Sequence, residues 1–358
     1  MRILWDFRLF SLGYATRGVG TYTRAAAAAV IAQNTDAQIV IWGDRSAAPA
    51  ECAGWPVEWV PYSAADWKRD LFTIPSLIAR NKIDLFHYWI GLGPLWRIGA
   101  GMFHPCKTCM TVYDLGVEYW DYVPYLSSMK KTWYWRMQKA IARGIDGFIC
   151  ISGATAGDLQ RTIKRAPGRS EVVYVPIGEP CAGDADRLPY FVTLGGAVNK
   201  NLQSVIDAFT AARREFPEYR LVVCGDVDNS EELAGPVPGV VSFERMEHYE
   251  RHLAEASGLI FCSRHEGLGL PPLEAMRHAC PVVLSDIPCL RETCDGAAIF
   301  VDPGDPSSIA AGIRECISNR KEWERRAAEG CVRYRGMSGN AGRKVLEMYG
   351  EILSRSRR

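Results

Sequence analysis

Short apolar runs of strand length alternate with helical stretches along this chain, and the alternation runs through, breaks and starts again. Few patterns restrict a fold more, because strands spaced by helices pair in parallel and must be covered on both faces. In the first half strands are predicted near Met1 to Asp6, Ala37 to Trp42, Leu85 to Tyr88, Cys109 to Tyr113, Gly147 to Ile151 and Val172 to Val175. In the second they are predicted near Tyr190 to Gly195, Arg220 to Gly225, Val240 to Phe243, Leu259 to Cys262, Pro281 to Ser285 and Ala298 to Val301, with helices such as Asn201 to Phe216 and Pro306 to Ser318 between. Pro176 to Pro189 is rich in Gly, Pro and Asp, lacks periodicity and reads as a linker. Two doubly wound α/β domains follow, over residues 1–178 and 187–340. The last helical stretch, Ala341 to Ser354 within residues 341–358, lies beyond the second pattern and is free to pack back on the first domain. A chain of 358 residues with 48% hydrophobic content supplies two full cores. Such sheets bind ligands at the carboxyl ends of their strands, so the expected site is a cleft faced by loops of both halves.

Charge is nearly balanced, with 42 Lys and Arg against 41 Asp and Glu, so no global field favours nucleic acid. The start, Met1-Arg-Ile-Leu-Trp-Asp6, turns polar too early for a signal peptide, and no apolar run reaches the length of a membrane span. The expectation is a cytoplasmic chain. Twelve cysteines are scattered, several of them within strand-like runs (Cys150, Cys224, Cys262), and read as reduced core thiols. Cys106-Lys-Thr-Cys109 near His104 lacks the second pair that a structural zinc site needs.

Chemistry concentrates in Phe261-Cys-Ser-Arg-His-Glu266-Gly-Leu-Gly-Leu-Pro-Pro-Leu-Glu274-Ala-Met. A strand ends there, Pro271 and Pro272 suit the first turn of a helix, and Gly267 to Leu270 form the turn between. Amides in such a turn can meet an anion, and glycine at Gly267 and Gly269 removes side chains that would keep a phosphate or sugar away. Glu266 borders the turn, and Glu274 is expected on the first helical turn. A dipole-favoured acid would explain Glu274 alone, but not Glu266 outside the helix.

Glu266 and Glu274, with seven residues between them, resemble the paired-glutamate motif of the retaining GT-B glycosyltransferases of family 4. Cys280-Pro-Val-Val-Leu-Ser-Asp286, Leu290-Arg-Glu292 and Val301-Asp-Pro303 follow in the same order. Gly195-Gly-Ala-Val-Asn199-Lys200-Asn-Leu resembles the stretch that holds the donor diphosphate, and Arg17-Gly18-Val-Gly20-Thr-Tyr22 the first-domain glycine loop. Thr111-Val-Tyr113-Asp114-Leu and Ile149-Cys-Ile-Ser152-Gly-Ala-Thr155 are similar to further landmarks. The resemblance spans nearly the whole chain. It implies a metal-independent, retaining transferase that uses a nucleotide diphosphate sugar, with GDP-mannose or a GDP-deoxymannose favoured and UDP-sugars open. It also implies a saccharide acceptor, often lipid-linked, used in building a cell-surface polysaccharide, with no cofactor beyond the donor. Lys200 would neutralise the diphosphate. Asn199, His265, Gly267, Leu268, Gly269 and Leu270 would line the donor, Gly18 and Gly20 would face it, Glu266 would sit by the sugar ring, and Glu274 would accept from the ribose hydroxyls. Tyr113 and Asp114 would complete the catalytic group.

This sequence departs from the family at three points: Tyr113 stands where many members have histidine, Asn199 replaces a common arginine, and Ala279 a usual glycine. These departures keep a non-catalytic saccharide-binding member open as a reading. A double-domain oxidoreductase would need a G-x-G-x-x-G turn after a first strand, and neither half has one. Asp184-Ala-Asp186 and Asp226-Val-Asp228 have the spacing of a metal-bridging pair, but the first lies in the linker. Met129 to Arg143 mixes five cations with three large aromatics. It reads either as a segment lying on the inner membrane face, with Met129, Trp133, Met137 and Ile141 on one side, or as a core-packed helix with a basic outer face.

Overall fold

The computed structural model describes residues 1–12, 18–33, 36–62, 70–89, 105–115, 128–164, 170–181, 187–196, 198–225 and 241–355. The chain divides into two compact units, one of Met1–Pro176 with Ser338–Arg358, the other of Ile177–Met337.

Among the described residues the first unit holds seven strands: β1 (Arg2–Asp6), β2 (Gln38–Gly43), β3 (Glu58–Pro61), β4 (Leu85–Tyr88), β5 (Lys107–Val112), β6 (Gly147–Cys150) and β7 (Ser170–Val172). All neighbours run parallel, in the order β3-β2-β1-β4-β5-β6-β7. The helices are α1 (Gly18–Ile31), α2 (Asp70–Arg80), α3 (Ser128–Gly144) and α4 (Gly153–Ile163). The second unit repeats the plan with six described strands: β8 (Leu188–Leu194), β9 (Arg220–Cys224), β10 (Val241–Glu244), β11 (Ala256–Phe261), β12 (Val282–Ser285) and β13 (Ile299–Val301). Their order is β10-β9-β8-β11-β12-β13, again all parallel. Around them lie α5 (Leu202–Ala212), α6 (Tyr249–Glu255), α7 (Leu270–Arg277), α8 (Pro288–Cys294), α9 (Pro306–Ser318) and α10 (Arg320–Ser338). In both sheets the order reverses beside the first strand, so β1/β4 and β8/β11 are switch points where the flanking loops part and leave room for a ligand.

The final helix, α11 (Ala341–Ser354), belongs to the first unit. A methyl group on Gly342 would lie 2.0 Å from the Ala29 carbonyl oxygen of α1, and one on Gly147 2.5 Å from Met348, so small residues let α11 come close to both neighbours. Beneath it a buried polar chain runs through Tyr349. The Trp5 indole donates to Tyr349 Oη at 3.1 Å, and that hydroxyl is hydrogen-bonded to His87 Nδ1 at 2.6 Å, whose Nε2 is hydrogen-bonded to Thr111 Oγ1 at 2.9 Å. Burial pushes the His87 imidazole down to about 3, which keeps it neutral. At the carboxyl end of β1, Arg8 grips Asp6 through two bonds of 2.7 and 2.6 Å, with its guanidinium 4.1 Å from the Trp42 ring centre.

Several expectations shift. The edge strand β3 is missing from the sequence reading, since Glu-Trp-Val-Pro is too short and too exposed to show alternation. The other edge strand, β7, lies two residues earlier than expected, and β11 starts at Ala256 instead of Leu259. The helix expected over Asn201 to Phe216 closes at Ala212, because the next residues tighten into i to i+3 bonds, Glu215 N to the Ala212 carbonyl and Phe216 N to that of Arg213. In α3 the described buried residues are Trp135, Gln138, Ile141 and Ala142, with Trp135, Ala142 and the following Ile145 in the first unit's core. The side chains of Met129, Trp133 and Met137 lie outside the described residues. No described helix is long and apolar enough to cross a membrane. All twelve cysteines are free thiols, and only Cys181 is exposed. His104 and the pairs Asp184/Asp186 and Asp226/Asp228 lie outside the described residues.

Candidate active site

The switch point of the second unit collects the loop after β8 and the loop after β11. A single 3₁₀ turn, Val198–Lys200, ends the first loop, and Asn201 then opens α5 in the left-handed conformation at φ 58°. Asparagine tolerates that conformation better than most residues. Asn201 is fixed by its amide, which donates to the Pro303 carbonyl at 2.7 Å, and by its side-chain oxygen, which accepts from Ser204 Oγ at 2.9 Å. The Val301-Asp-Pro303 motif thus braces the residue after Lys200.

Asn199 ties the two loops together. Its carbonyl accepts from the Arg264 amide at 2.8 Å, and its side chain donates to the His265 carbonyl at 3.2 Å. Lys200 and Glu266 meet across this clasp, Nζ to Oε1 at 2.7 Å, with side chains 20% and 14% exposed. The ammonium also lies 4.6 Å from the centre of the buried Phe261 ring, a cation–π contact. Read as a lone lysine near a helix start, Lys200 is unexplained; in the structure it is half-buried and paired.

Glu266 is followed by the turn Gly267 to Gly269, all buried, and α7 begins at Leu270. Gly269 adopts φ 83°, and a methyl group there would sit 2.3 Å from Leu290 Cδ2. Glycine is therefore required for conformation and for space. Pro271 and Pro272 carry no amide hydrogen, so the anion-binding donors belong to the turn more than to the helix. Among the described residues, the amides of Leu268, Gly269 and Leu270 have no protein acceptor. His265 is partly buried beside Glu266, and Arg264 is exposed.

Glu274 is the fifth residue of α7, beyond the first turn in which it was expected. The helix-dipole explanation weakens accordingly. Its carboxylate has no hydrogen-bond partner among the described residues. Burial, and then the nearby Glu250 carboxylate, push it up to about 7, against the pull of Arg277. Glu250 itself is held below the usual carboxylate range, first by its 2.6 Å bond to His278 Nε2, against the opposing effect of burial, with Arg277 also paired to it. After α7 the chain turns through Ala279, at φ 50°. The usual glycine of the family is explained by that conformation, and alanine there carries strain of about 1 kcal/mol. Ala279→Gly is expected to stabilise the protein by about 1 kcal/mol, raising Tm by a few degrees in a thermal melt.

Tyr113, Asp114, Gly18 and Gly20 belong to the first unit. Gly18 and Gly20 form the first turn of α1, where a loop was expected; Gly18 is exposed and Gly20 buried, and Arg17 lies outside the described residues. The Tyr113 hydroxyl is 2.6 Å from Thr23 Oγ1, and burial raises it well above the ordinary phenol range. Its phenol is therefore held in the neutral form. Asp114 is exposed just beyond β5. Ser152 caps α4 through a 3.0 Å bond from the Thr155 amide.

The family model described as Glycosyltransferase Family 4 matches residues 16–177, and that described as Glycosyl transferases group 1 matches residues 188–319. Between them they take in most of the chain. The chain is 24% identical over 276 residues to the O-antigen chain mannosyltransferase RfbU of Salmonella typhimurium, a match covering 68% of this chain and 75% of that one. It is 28% identical over 178 residues to the GDP-mannose:cellobiosyl-diphosphopolyprenol alpha-mannosyltransferase of Xanthomonas campestris, covering 46% of each. In fold it matches Anabaena HepE, solved with UDP and glucose, at a TM-score of 0.76 over 98% of this chain and 100% of that one, with 14% identity.

Proposed function

Since this chain belongs to glycosyltransferase family 4 and has the GT-B fold, we propose that it moves mannose or a deoxymannose from a GDP-sugar to a saccharide acceptor, with retention of configuration. The observation that carries the reading is the group at the β8/β11 switch point: one lysine, three amides without acceptors, and two carboxylates on either side of the turn. Departure of the nucleoside diphosphate builds negative charge on its phosphate and positive charge at the anomeric carbon. Lys200 and the amides of Leu268 to Leu270 would take the former. Glu266 would hold a sugar hydroxyl and stand by the cationic centre, and Glu274 would accept from the ribose. The acceptor enters on the face that the diphosphate leaves, and the departing phosphate oxygen takes its proton. Charge for the leaving group comes from the chain itself, so transfer should survive a chelator.

The GDP-mannose preference rests on the mannosyltransferases among the relatives. The second reading, a UDP-sugar donor, is favoured by the fold neighbour solved with UDP. A lipid-linked acceptor at the cytoplasmic membrane face, in building a surface polysaccharide, fits the diphosphopolyprenol acceptor named for one relative. The test is a thermal shift against GDP, UDP and GDP-mannose, followed by release of GDP in the presence of polyprenol-linked saccharides. A GDP-selective shift supports the proposal, a UDP-selective shift replaces the donor, and no shift with any nucleotide overturns it.

Glu274 adds a pH signature. Its folded-state value of about 7 lies above the ordinary 4.5, so the stability it contributes is full below about pH 4.5 and is lost as pH rises through 7. Glu274→Gln is expected to melt like wild type at pH 4.5 and to be more stable by about 2 kcal/mol at pH 8. Nucleotide affinity should move the other way. It should rise between pH 6 and 8 in wild type, as the carboxylate ionises to accept the ribose hydroxyls, and stay flat in the variant.

A further inference from the structure

Lys200 and Glu266 face each other as partners, although each is assigned to a different part of the donor. Their 2.7 Å bond is the one described hydrogen bond of either side chain, and both are largely out of solvent. The clasp through Asn199 holds their loops at this spacing, with Arg264 N on the Asn199 carbonyl and Asn199 Nδ2 on the His265 carbonyl. The pair is therefore built in, and an arriving diphosphate must take Lys200 from a carboxylate that already neutralises it.

We infer that Glu266 is the resident counter-ion of the donor site and that the Lys200–Glu266 pair sets its selectivity: full binding requires a ligand that brings both an anionic diphosphate and a sugar hydroxyl. The inference rests on the reading above, that Lys200 meets the diphosphate and Glu266 the sugar. A diphosphate draws the ammonium over, and the Phe261 ring can stay beneath it because a cation–π contact tolerates lateral movement better than a hydrogen bond. Glu266 is then a partly buried carboxylate without a cation, which is costly unless something donates to it. A sugar hydroxyl does so. A bare nucleoside diphosphate does not, so it meets a penalty that the intact donor escapes. The exchange discriminates against product and favours donor at the same two atoms, and a nucleoside monophosphate, with less charge to offer, fares worse than either.

The test is calorimetric titration of GDP, UDP and GDP-mannose into wild type, Glu266→Gln and Lys200→Met. The glutamine variant is isosteric, and its melting curve without ligand establishes that it is folded. The nucleoside diphosphate that wild type binds is expected to bind Glu266→Gln about fivefold more tightly, because the competitor for Lys200 is gone. The preference for nucleotide sugar over the bare diphosphate should shrink by a similar factor, and Lys200→Met should lose both ligands. If wild type binds the diphosphate and Glu266→Gln binds it no more tightly, the exchange is overturned while the donor-site reading stands. If neither GDP nor UDP binds any of the three proteins, both fall together.

Discussion

Transfer by Glu266→Gln is expected to fall by about three orders of magnitude while the protein folds and binds nucleotide. The variant keeps the size of the side chain and removes its charge. What is lost is the field of a carboxylate beside a developing cation, an interaction stronger in the transition state than in the ground state. The effect should therefore appear in kcat with little rise in the donor KM. Lys200→Met should show the opposite division, with donor binding lost first, since the lysine meets charge already present on the diphosphate. A parallel loss of kcat and affinity in both variants would mean that the two residues are not divided between sugar and phosphate.

Gly269→Ala should be the most damaging small substitution in the donor turn. Two separate costs meet there, a left-handed backbone at φ 83° and a methyl group 2.3 Å from Leu290 Cδ2. The first costs about 1–2 kcal/mol, and the second about 1–3 kcal/mol, because Leu290 is fully buried and cannot swing out. Together they predict a Tm lower by roughly 10 °C, read by calorimetry. Nucleotide affinity should drop with it, because relief of the overlap moves the amides of Leu268 and Leu270. Gly269→Asn, which suits the left-handed conformation but keeps a Cβ, should fall between wild type and alanine. A melt unchanged by Gly269→Ala would show that the turn relaxes without cost.

The doubly wound plan was legible because buried parallel strands are largely apolar runs, and twelve of the thirteen described strands overlap a run readable in the sequence. The one that went unseen, β3, and the one that overlaps its expected run least, β7, are edges, where only one flank is paired and the hydrophobic signal is short. The donor turn was legible for a related reason: glycine and proline report backbone geometry directly, and Gly269 and Pro271 stand where their conformations are used. Pairing between distant side chains was not legible. Nothing in the spacing of Lys200 and Glu266 announces a contact across 66 residues. The same holds for the loop clasp through Asn199, which looked like an arginine lost. Its position beside Lys200 was readable, but its carbonyl and amide serve the neighbouring loop in ways that residue identity does not encode.

The return of α11 to the first unit bears on how this protein is made. The first sheet is specified by residues 1–176, yet the helix that covers β5 and β6 and closes the Trp5–Tyr349–His87 chain leaves the ribosome only after the whole second unit has done so. The second unit, continuous over Ile177–Met337, has all its parts sooner. Assembly should run opposite to the order of synthesis, with the later-encoded half settling first. The earlier half must wait with an apolar flank uncovered until residue 354 has emerged. In that interval the first unit is open to chaperones and proteases, and a chain cut before α11 would lose that cover.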